Sequence, residues 1–531
     1  MAVSTELDVF RLYPLIHISR AFLYSILAPL LIFIIYVIGS EVDRWLARVP
    51  NLPGPRGLPL VGSLPWLWGK VHGEQFRLWS AQYGDVFQVQ LGNRTVVVVN
   101  SAASARSMIL GQREASNSRP IFYVLHQKVQ SGSVTSIGTS PWDDSCKRRR
   151  KVAATALNRV SIINLESRAF ITDMLDASLG NKSNTVDFRD AVRKFAMNLV
   201  LTLNYGTRVE DVKELRSNAM IAEIIHVEGE ITKLRDTTRN YENYIPILRP
   251  LNTLAEWTRL QDGNYMPDIG RRRTGYHKVL LNKLKEQVAA GTDRPCIQGN
   301  VLKDPESKGL TDNEILSVSL SMMAGADTSQ PTLAWTILLL SQRPDIQRKA
   351  YQAIVDADPN LLTSPDVAHT KVEYIDAFTK EISRYFTALK LGLPRATHSE
   401  VHWRGATIPS KTMVFVNQWA CSRDEELFVD SNTFAPERWL EGGAHLHQFA
   451  FGIGGRMCVA HHLAHKALYA VFLHLIAHFE VLPVEGMDDA LIADPLEGVS
   501  EKEQFVSAPR GSKARLVPRD IAVTRKMLGL A

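Results

Sequence analysis

Cysteine is scarce in this sequence of 531 residues, and the scarcity excludes two classes of protein. The four cysteines are Cys146, Cys296, Cys421 and Cys458. They lie far apart and none forms a C-x-x-C pair, so neither a disulfide framework nor a zinc site is indicated. A reducing, cytosol-facing environment fits this usage best.

The sequence also shows few signs of domain boundaries. No linker or composition break interrupts the sequence after residue 60, and it contains no internal repeat or low-complexity segment. Hydrophobic residues make up 45% and charged residues 22%, which is an ordinary globular balance. One large domain is therefore expected, although the length exceeds that of a typical single domain.

Long apolar runs are rare, and the exception lies near the N-terminus. Residues 21–38 carry no charge and lie at the short end of the length needed for a transmembrane helix. Pro29 would kink this helix without forbidding it. A cleaved signal peptide is the alternative, but the run is long for one and no A-x-A-like site follows. Flanking charges balance on both sides and do not decide the orientation.

Positive charge is concentrated in two places, although the formal net charge is only +6. Residues 147–151 read KRRRK, and the tail from residue 510 has six basic residues against one acid, Asp520. No recognised nucleic-acid-binding fold accompanies these clusters, so we expect no nucleic-acid partner. A solvated surface is the simple interpretation, and a docking patch for an acidic protein is the more specific one.

A glycine-rich loop delivers one cysteine to the start of a predicted helix. Residues 449–466 read FAFGIGGRMCVAHHLAHK. Glycines allow close approach of backbone N–H groups, and a helix start stabilises a thiolate at Cys458. The alternative is a buried free cysteine that behaves as a small hydrophobe.

Four residues in this loop match the F-x-x-G-x-R-x-C signature of the cytochrome P-450 family: Phe451, Gly454, Arg456 and Cys458. The resemblance implies that Cys458 is the axial thiolate and metal ligand of haem b. It also implies that Phe451 packs beside the sulfur and that Arg456 pairs with a haem propionate. Ala460 departs from the family pattern, which usually has glycine there.

A second motif, AGADTS at residues 324–329, resembles the family's oxygen-activation motif. Thr328 in mid-helix can simply bond its own backbone. By resemblance, Asp327 and Thr328 are instead the catalytic pair that supplies protons for oxygen activation. Pro331 cannot bond the carbonyl of Asp327, so we predict that the helix is broken at this point.

Two further arginines are cofactor-binding candidates by resemblance. Arg395 falls at the family's second propionate-binding position. The family usually places Trp four residues before the first such arginine, but Cys146 stands four after Trp142 here. Alignment from the downstream sequence ALN places Arg150 in that position instead.

An E-x-x-R motif completes the resemblance. Glu381 and Arg384 lie one helix turn apart and can pair. The family buries such a pair and joins it to an arginine equivalent to Arg438, which implies a structural role near the haem. Motifs at residues 201–206 and 243–249, together with the stretch 139–159, resemble fungal phenylacetate hydroxylases within the family.

The fold implied is mainly α with small β-sheets (α+β), tethered by an N-terminal transmembrane helix. Residues 86–100 predict a β-hairpin with its turn at Gly92 and Asn93. The expected divisions are residues 1–40 with the anchor at about 21–39, a Pro/Gly hinge at 41–62, and a haem-binding catalytic domain at 63–531. The family places the anchor in the endoplasmic reticulum membrane as a single pass, with the catalytic domain facing the cytosol.

The implied function is a haem-thiolate monooxygenase that inserts one atom of O₂ into a small aromatic or polyketide-type substrate. The chain has no flavin or iron–sulfur domain, so two electrons must arrive from outside it. The resemblance implies NADPH and a separate NADPH–cytochrome reductase as their source. The run 147–151, with His461, His465 and Lys466, would form its landing surface. Two alternatives stay open: a haem-thiolate isomerase or dehydratase that acts on a peroxide without a reductase, and a non-enzymatic haem sensor.

Overall fold

The computed structural model describes residues 9–130, 135–156, 160–236, 239–304, 309–440, 442–486 and 491–530. The start of the predicted N-terminal segment, residues 1–8, therefore lies outside the described residues. So do residues 131–134 of the loop at 120–138 that the resemblance places over the haem.

The described residues form mainly helices. They are α1 Val9–Leu46, α2 His72–Tyr83, α3 Ala102–Ala105, α4 Asp144–Ala156, α5 Val160–Leu179, α6 Arg189–Tyr205, α7 Glu214–Ser217, α8 Ala219–Lys233, α9 Leu248–Trp257, α10 Tyr265–Ala290, α11 Ile297–Lys303, α12 Asp312–Gln342, α13 Pro344–Ala357, α14 Glu373–Phe386, α15 Gln418–Cys421, α16 His461–His478 and α17 Ile521–Leu528. The strands are β1 Val86–Leu91, β2 Arg94–Val99, β3 Thr185–Asp187, β4 Arg395–Ala396, β5 Val401–Trp403, β6 Ala406–Ile408, β7 Met413–Val416, β8 Phe479–Leu482 and β9 Lys513–Pro518. The predicted fold class, mainly α with small sheets, is confirmed.

Helix α1 carries the apolar run and is long enough to cross a membrane. The most apolar 18-residue window of its segment Phe22–Leu46 has a mean hydropathy of 2.4, and none of that window is buried against the rest of the protein. The polar end of α1 contacts the body of the protein, because Ser40 donates a hydrogen bond to the Asn93 side chain at 2.9 Å. This geometry is consistent with a membrane anchor that ends where the folded body begins.

The largest sheet joins distant parts of the chain. The predicted hairpin is confirmed as β1 and β2, with Gly92 and Asn93 between them and Gly92 at φ 55°. Strand β7 pairs in parallel with β2, with Val96 opposite Met413, and β4 lies on its other edge. Apolar side chains on β1, β2 and β7 are buried on both faces, as expected for an interior sheet.

Helix α12 is the central helix and packs against α6, α4 and α14. It begins with a capping box, in which the Thr311 hydroxyl accepts from the Glu314 N–H and the Glu314 carboxylate accepts from the Thr311 N–H. The predicted break at Pro331 is wrong, since α12 runs without interruption to Gln342. Pro331 removes one backbone hydrogen bond, but its ring is buried and the second half of the helix is held by packing.

The E-x-x-R motif lies in α14 as a buried network. The Glu381 carboxylate accepts two hydrogen bonds from Arg384 at 2.7 and 2.8 Å, one from Arg438 at 3.1 Å and one from the Trp439 indole at 2.9 Å. It also accepts from the backbone N–H of Ala435 at 2.9 Å. The network ties α14 to the turn at 436–439, shortly before the cysteine loop.

The basic C-terminal tail is folded. Strand β9 pairs with β8 and β3, and α17 follows it with Asp520 as its N-cap. The Arg519 guanidinium donates to the carbonyls of Ile476 and Phe479. The tail therefore packs against the end of α16, a role that no sequence pattern had indicated.

Candidate active site

A cavity lies between α12 and the cysteine loop. Its walls come from several separate parts of the chain, and they include Ala324, Gly325 and Thr328 on α12 and Phe451, Cys458 and Ala464 on the opposite side. All but one of the seven candidate site residues line it; the exception is Asp327. The fold thus brings residues that are more than 300 positions apart in the sequence together in the wall of one cavity.

Glycines give the cysteine loop its shape. Gly452 has φ 80° and Gly454 has φ 66°, conformations that favour glycine. The loop closes when the Cys458 N–H donates to the Phe451 carbonyl at 2.8 Å. Helix α16 starts three residues after Cys458, at His461, slightly later than predicted.

The Cys458 thiol faces this cavity. Burial raises its pKa, while the Ala460 N–H and the Arg150 charge oppose the rise. A thiol in this position becomes a thiolate when a metal ion binds it, since ligation favours the deprotonated form.

Four buried or half-buried arginines face the cavity without acidic partners: Arg119, Arg150, Arg395 and Arg456. Within the described ranges, no carboxylate lies within ion-pair distance of any of them. Burial lowers their pKa values, that of Arg395 to about 9 and that of Arg456 to about 10, and repulsion by neighbouring arginines adds to this for Arg119, Arg395 and Arg456. The Nε atom of Arg119 is shielded from solvent and has no hydrogen-bond partner. Such a cluster requires anions from outside the chain.

Backbone groups hold these arginines in place. Arg119 donates to the Leu393 and Pro394 carbonyls at 2.6 and 2.9 Å, and Arg150 donates to the Met457 carbonyl at 2.9 Å. Arg150 therefore does reach the cavity and contacts the cysteine loop. Sequence reasoning missed Arg119, because it belongs to no motif and its position depends on tertiary contacts.

Arg456 is held by residues near Trp142, where the spacing departs from the usual family pattern. Its guanidinium donates to the Asn117 and Ser140 carbonyls at 2.6 and 2.7 Å and to the Cys146 sulfur at 3.3 Å. It also lies 4.7 Å from the centre of the Trp142 ring. Cys146 thus takes part in orienting Arg456.

Haem fits this cavity. Haem presents two propionate carboxylates at one edge and an iron that takes a thiolate ligand. The four arginines would pair with the propionates, Cys458 would bind the iron, and the apolar wall of α12 would face the distal side of the ring. The lack of internal counter-ions among these arginines is explained by such a dianionic ligand.

On the distal side, Thr328 and Asp327 point in different directions. Thr328 lines the cavity and its hydroxyl donates to the Gly325 carbonyl at 3.3 Å. The Asp327 carboxylate accepts from the Thr232 hydroxyl at 2.9 Å, away from the cavity wall. Burial, followed by the Glu228 charge, raises the Asp327 pKa to about 6. A carboxyl with this pKa exchanges protons readily near neutral pH.

The basic run 147–151 does not form one surface, so the expectation that all five residues contribute to a landing surface for the reductase is wrong. Arg149 is buried and donates to the Ser140 hydroxyl at 3.2 Å, and Arg150 faces the cavity. Lys147, Arg148 and Lys151 are exposed, and Arg148 pairs with a glutamate on α12 at 2.9 Å. The helical period of 3.6 residues separates these side chains onto different faces.

The helical fold, the cysteine loop and the cation-lined cavity define a haem-thiolate protein. The chain belongs to the cytochrome P-450 family, whose model matches residues 52–506. It is 40% identical over 496 residues to 3-hydroxyphenylacetate 6-hydroxylase of Emericella nidulans, covering 92% of each chain. It is also 36% identical to phenylacetate 2-hydroxylase of the same organism, covering 91% of this chain and 93% of the relative. A third relative, a cytochrome P-450 monooxygenase of Mycosarcoma maydis, is 37% identical over 89% of this chain and 88% of its own. The protein is therefore an oxygenase enzyme of this family.

Proposed function

We propose that this protein is a monooxygenase that hydroxylates the aromatic ring of a small aryl acid, of the phenylacetate class. The observation that carries the proposal is the cavity shared by Cys458, the four arginines and Thr328. The printed names of two relatives, both aryl acetate hydroxylases, support the substrate class. A polyketide-type aromatic is the second candidate substrate.

Haem b, held by Cys458 and the four arginines, would supply the chemistry that places one oxygen atom of O₂ on carbon. The balance requires two electrons and two protons, and the second oxygen atom leaves as water. The residues of this chain hold the haem, keep the aromatic ring against α12 and exclude bulk water. Thr328 presents a hydroxyl to the cavity that can hold and pass a proton, and Asp327, next to it in the chain, is the proposed proton reservoir.

The electrons come from NADPH through a separate reductase in this proposal. Helix α4 contacts the cysteine loop through the Arg150–Met457 hydrogen bond, so its exposed Lys147 and Lys151 lie on the proximal side. Lys466 on α16 is also exposed. Lys147 pairs with the exposed Asp144 at 3.0 Å, and His465 pairs with Asp376 at 2.7 Å. These lysines form the proposed landing surface for an acidic partner.

The apolar α1 helix supports a membrane-bound location. We propose that about residues 21–39 anchor the protein in the endoplasmic reticulum membrane, with residues 63–531 as the catalytic domain on the cytosolic side. Residues 52–57 have no regular structure, in keeping with a hinge after the anchor.

A substrate panel tests the function. Purified holoenzyme is titrated with phenylacetate, 3-hydroxyphenylacetate and neutral phenols while the ferric spectrum is recorded. We expect the aryl acids to give a type I shift and to yield a ring-hydroxylated product with NADPH and reductase. Product formed from a peroxide substrate without reductase would instead support the isomerase or dehydratase. Binding without any turnover would support the haem sensor.

Replacement of Thr328 by alanine is expected to uncouple NADPH consumption from product formation. NADPH consumption continues, while product per NADPH falls by about tenfold or more and hydrogen peroxide rises, because a positioned proton donor is worth at least that factor. Product, NADPH and peroxide are measured in the same reaction.

Thr336→Ala is the matched control for Thr328. It lies two turns further along α12, is fully buried, and its hydroxyl donates to the Thr332 carbonyl at 2.9 Å. This variant should keep the wild-type ratio of product to NADPH. If Thr328→Ala also keeps that ratio, Thr328 has no part in proton delivery.

A further inference from the structure

One arginine lies at the junction of two cavities and does not belong to the propionate cluster, which consists of Arg119, Arg150, Arg395 and Arg456. Arg235 follows α8 in a turn, and its side chain lines both the haem cavity and a smaller outer cavity between residues 71–73, 119–126 and 499–507. A substrate that enters from the outer cavity therefore passes Arg235 before it reaches Thr328.

The Arg235 guanidinium has no partner within the described parts of the chain. Its Nε atom is shielded from solvent and makes no hydrogen bond. No carboxylate among the described residues lies within ion-pair distance of it. Burial lowers its pKa, and the Arg273 charge lowers it further. Burying a cation without a partner costs free energy, so we expect a bound ligand to supply the anion.

The two carboxylates whose negative charges act on Arg235 already accept hydrogen bonds from other residues. Glu228 accepts two hydrogen bonds from Arg273 at 2.7 and 2.8 Å. Asp327 accepts from the Thr232 hydroxyl at 2.9 Å. Their hydrogen bonds are directed elsewhere, although their charges favour the protonated form of Arg235.

The other cations at these cavities are also satisfied by the protein or face the haem edge. Lys390 lines the outer cavity, but it donates to the Phe386 carbonyl and the Ser507 hydroxyl, and it lies 4.7 Å from the Trp419 ring centre. Arg119 donates to two carbonyls and stands among the four arginines of the propionate cluster. Among the described residues that line these cavities, Arg235 is thus a cation outside the propionate cluster whose Nε atom has no hydrogen-bond partner.

The position of Arg235 relative to Thr328 is fixed by the protein. The hydrogen bond between Thr232 and Asp327 joins the last turn of α8 to the middle of α12. Arg235 follows Thr232 by three residues, and Thr328 follows Asp327 directly. Both residues also line the haem cavity, so a short molecule with a carboxylate at one end and a ring at the other is expected to contact both.

We propose that Arg235 binds the carboxylate of the substrate and thereby orients an aryl acetate with its ring toward Thr328 and the haem. This inference rests on the proposed function and adds the residue that selects acids over neutral aromatics. A guanidinium offers paired donors that match a carboxylate in two parallel hydrogen bonds. Met322 and Ala324 of α12, with Leu391, supply apolar wall for the ring.

The test compares an acid with its neutral isostere. Ferric holoenzyme is titrated with phenylacetate and with phenylacetamide, both by the spectral shift and by calorimetry, for the wild type, Arg235→Gln and Arg235→Lys. We expect Arg235→Gln to raise the Kd of phenylacetate by about tenfold to a hundredfold, the range for a charge-assisted pair. The Kd of phenylacetamide should change by less than about threefold, and Arg235→Lys should lie between the wild type and Arg235→Gln.

Lys233→Gln is the matched control, because it removes a positive charge from the same helix end. The Lys233 side chain is 59% exposed and pairs with Glu230 rather than lining a cavity. It should leave both affinities unchanged. The carbon monoxide spectrum of each variant verifies that the haem site is intact.

Several outcomes would overturn the inference. If wild type binds phenylacetate and Arg235→Gln binds it equally well, Arg235 does not recognise the acid and the proposed function stands. Equal weakening of acid and amide would show a structural role only. If Arg235→Gln does not retain haem, Arg235→Lys must still weaken the acid more than the amide. A wild type that binds neither compound would overturn the proposed substrate class and this inference with it.

Discussion

Cys458→His is expected to abolish monooxygenase activity and the red-shifted carbon monoxide band of a reduced thiolate haem. Imidazole can bind iron, but it is neutral and does not donate electron density as a thiolate does. The spectrum and the product yield are measured on protein with a determined haem content. Retention of the red-shifted band in this variant would rule out Cys458 as the ligand.

Cys421→Ala serves as the matched cysteine control. Cys421 is fully buried in a hydrophobic cluster and does not itself line the haem cavity, and burial raises the pKa of its thiol. Its removal should reduce stability slightly and leave the carbon monoxide band in place. The contrast separates loss of a ligand from loss of a core thiol.

Glu381→Gln is expected to cause the largest loss of stability. The carboxylate neutralises Arg384 and Arg438, and neither Glu381 nor Arg384 has more than 1% of its side chain exposed. Removal of one partner from a buried ion pair costs about 3–5 kcal/mol, because the remaining charge stays buried. We expect a lower midpoint of guanidinium unfolding, followed by circular dichroism, and a low yield of haem-loaded protein.

Glu437→Gln provides the surface comparison in the same turn. Glu437 pairs with Lys349 at 2.8 Å, but their side chains are 44% and 60% exposed. An exposed pair contributes about 1 kcal/mol or less, so this variant should unfold close to the wild type. Similar midpoints for both variants would show that the Glu381 network is not what holds the fold.

Local patterns in the sequence were sufficient for several elements. The alternation around Gly92 and Asn93 predicted the hairpin, and a local capping box of Thr311 and Glu314 begins α12. These features depend on residues close in sequence, where turn chemistry and capping decide the structure. The family resemblance, confirmed by comparison, supplied the rest of the fold.

Features that depend on distant contacts could not be read in the same way. The sequence indicated a break at Pro331, yet packing of the second half of α12 keeps the helix continuous. It also presented residues 147–151 as one charged patch, whereas the helix turns Arg149 inward. Arg119 and Arg235 carry no motif, and their importance is visible only when the cavity walls meet.

The pairing of β2 with β7 affects how the protein is made. More than 300 residues separate these strands, so the valine-rich edge of β2 has no partner while the intervening chain is synthesised. At about 5–20 residues per second, this delay lasts on the order of 15–60 seconds. An unpaired apolar strand edge is prone to aggregation, and contacts between distant segments slow folding. The nascent hairpin therefore keeps an unpaired strand edge until residue 416 leaves the ribosome, and chaperone binding to this edge would limit aggregation.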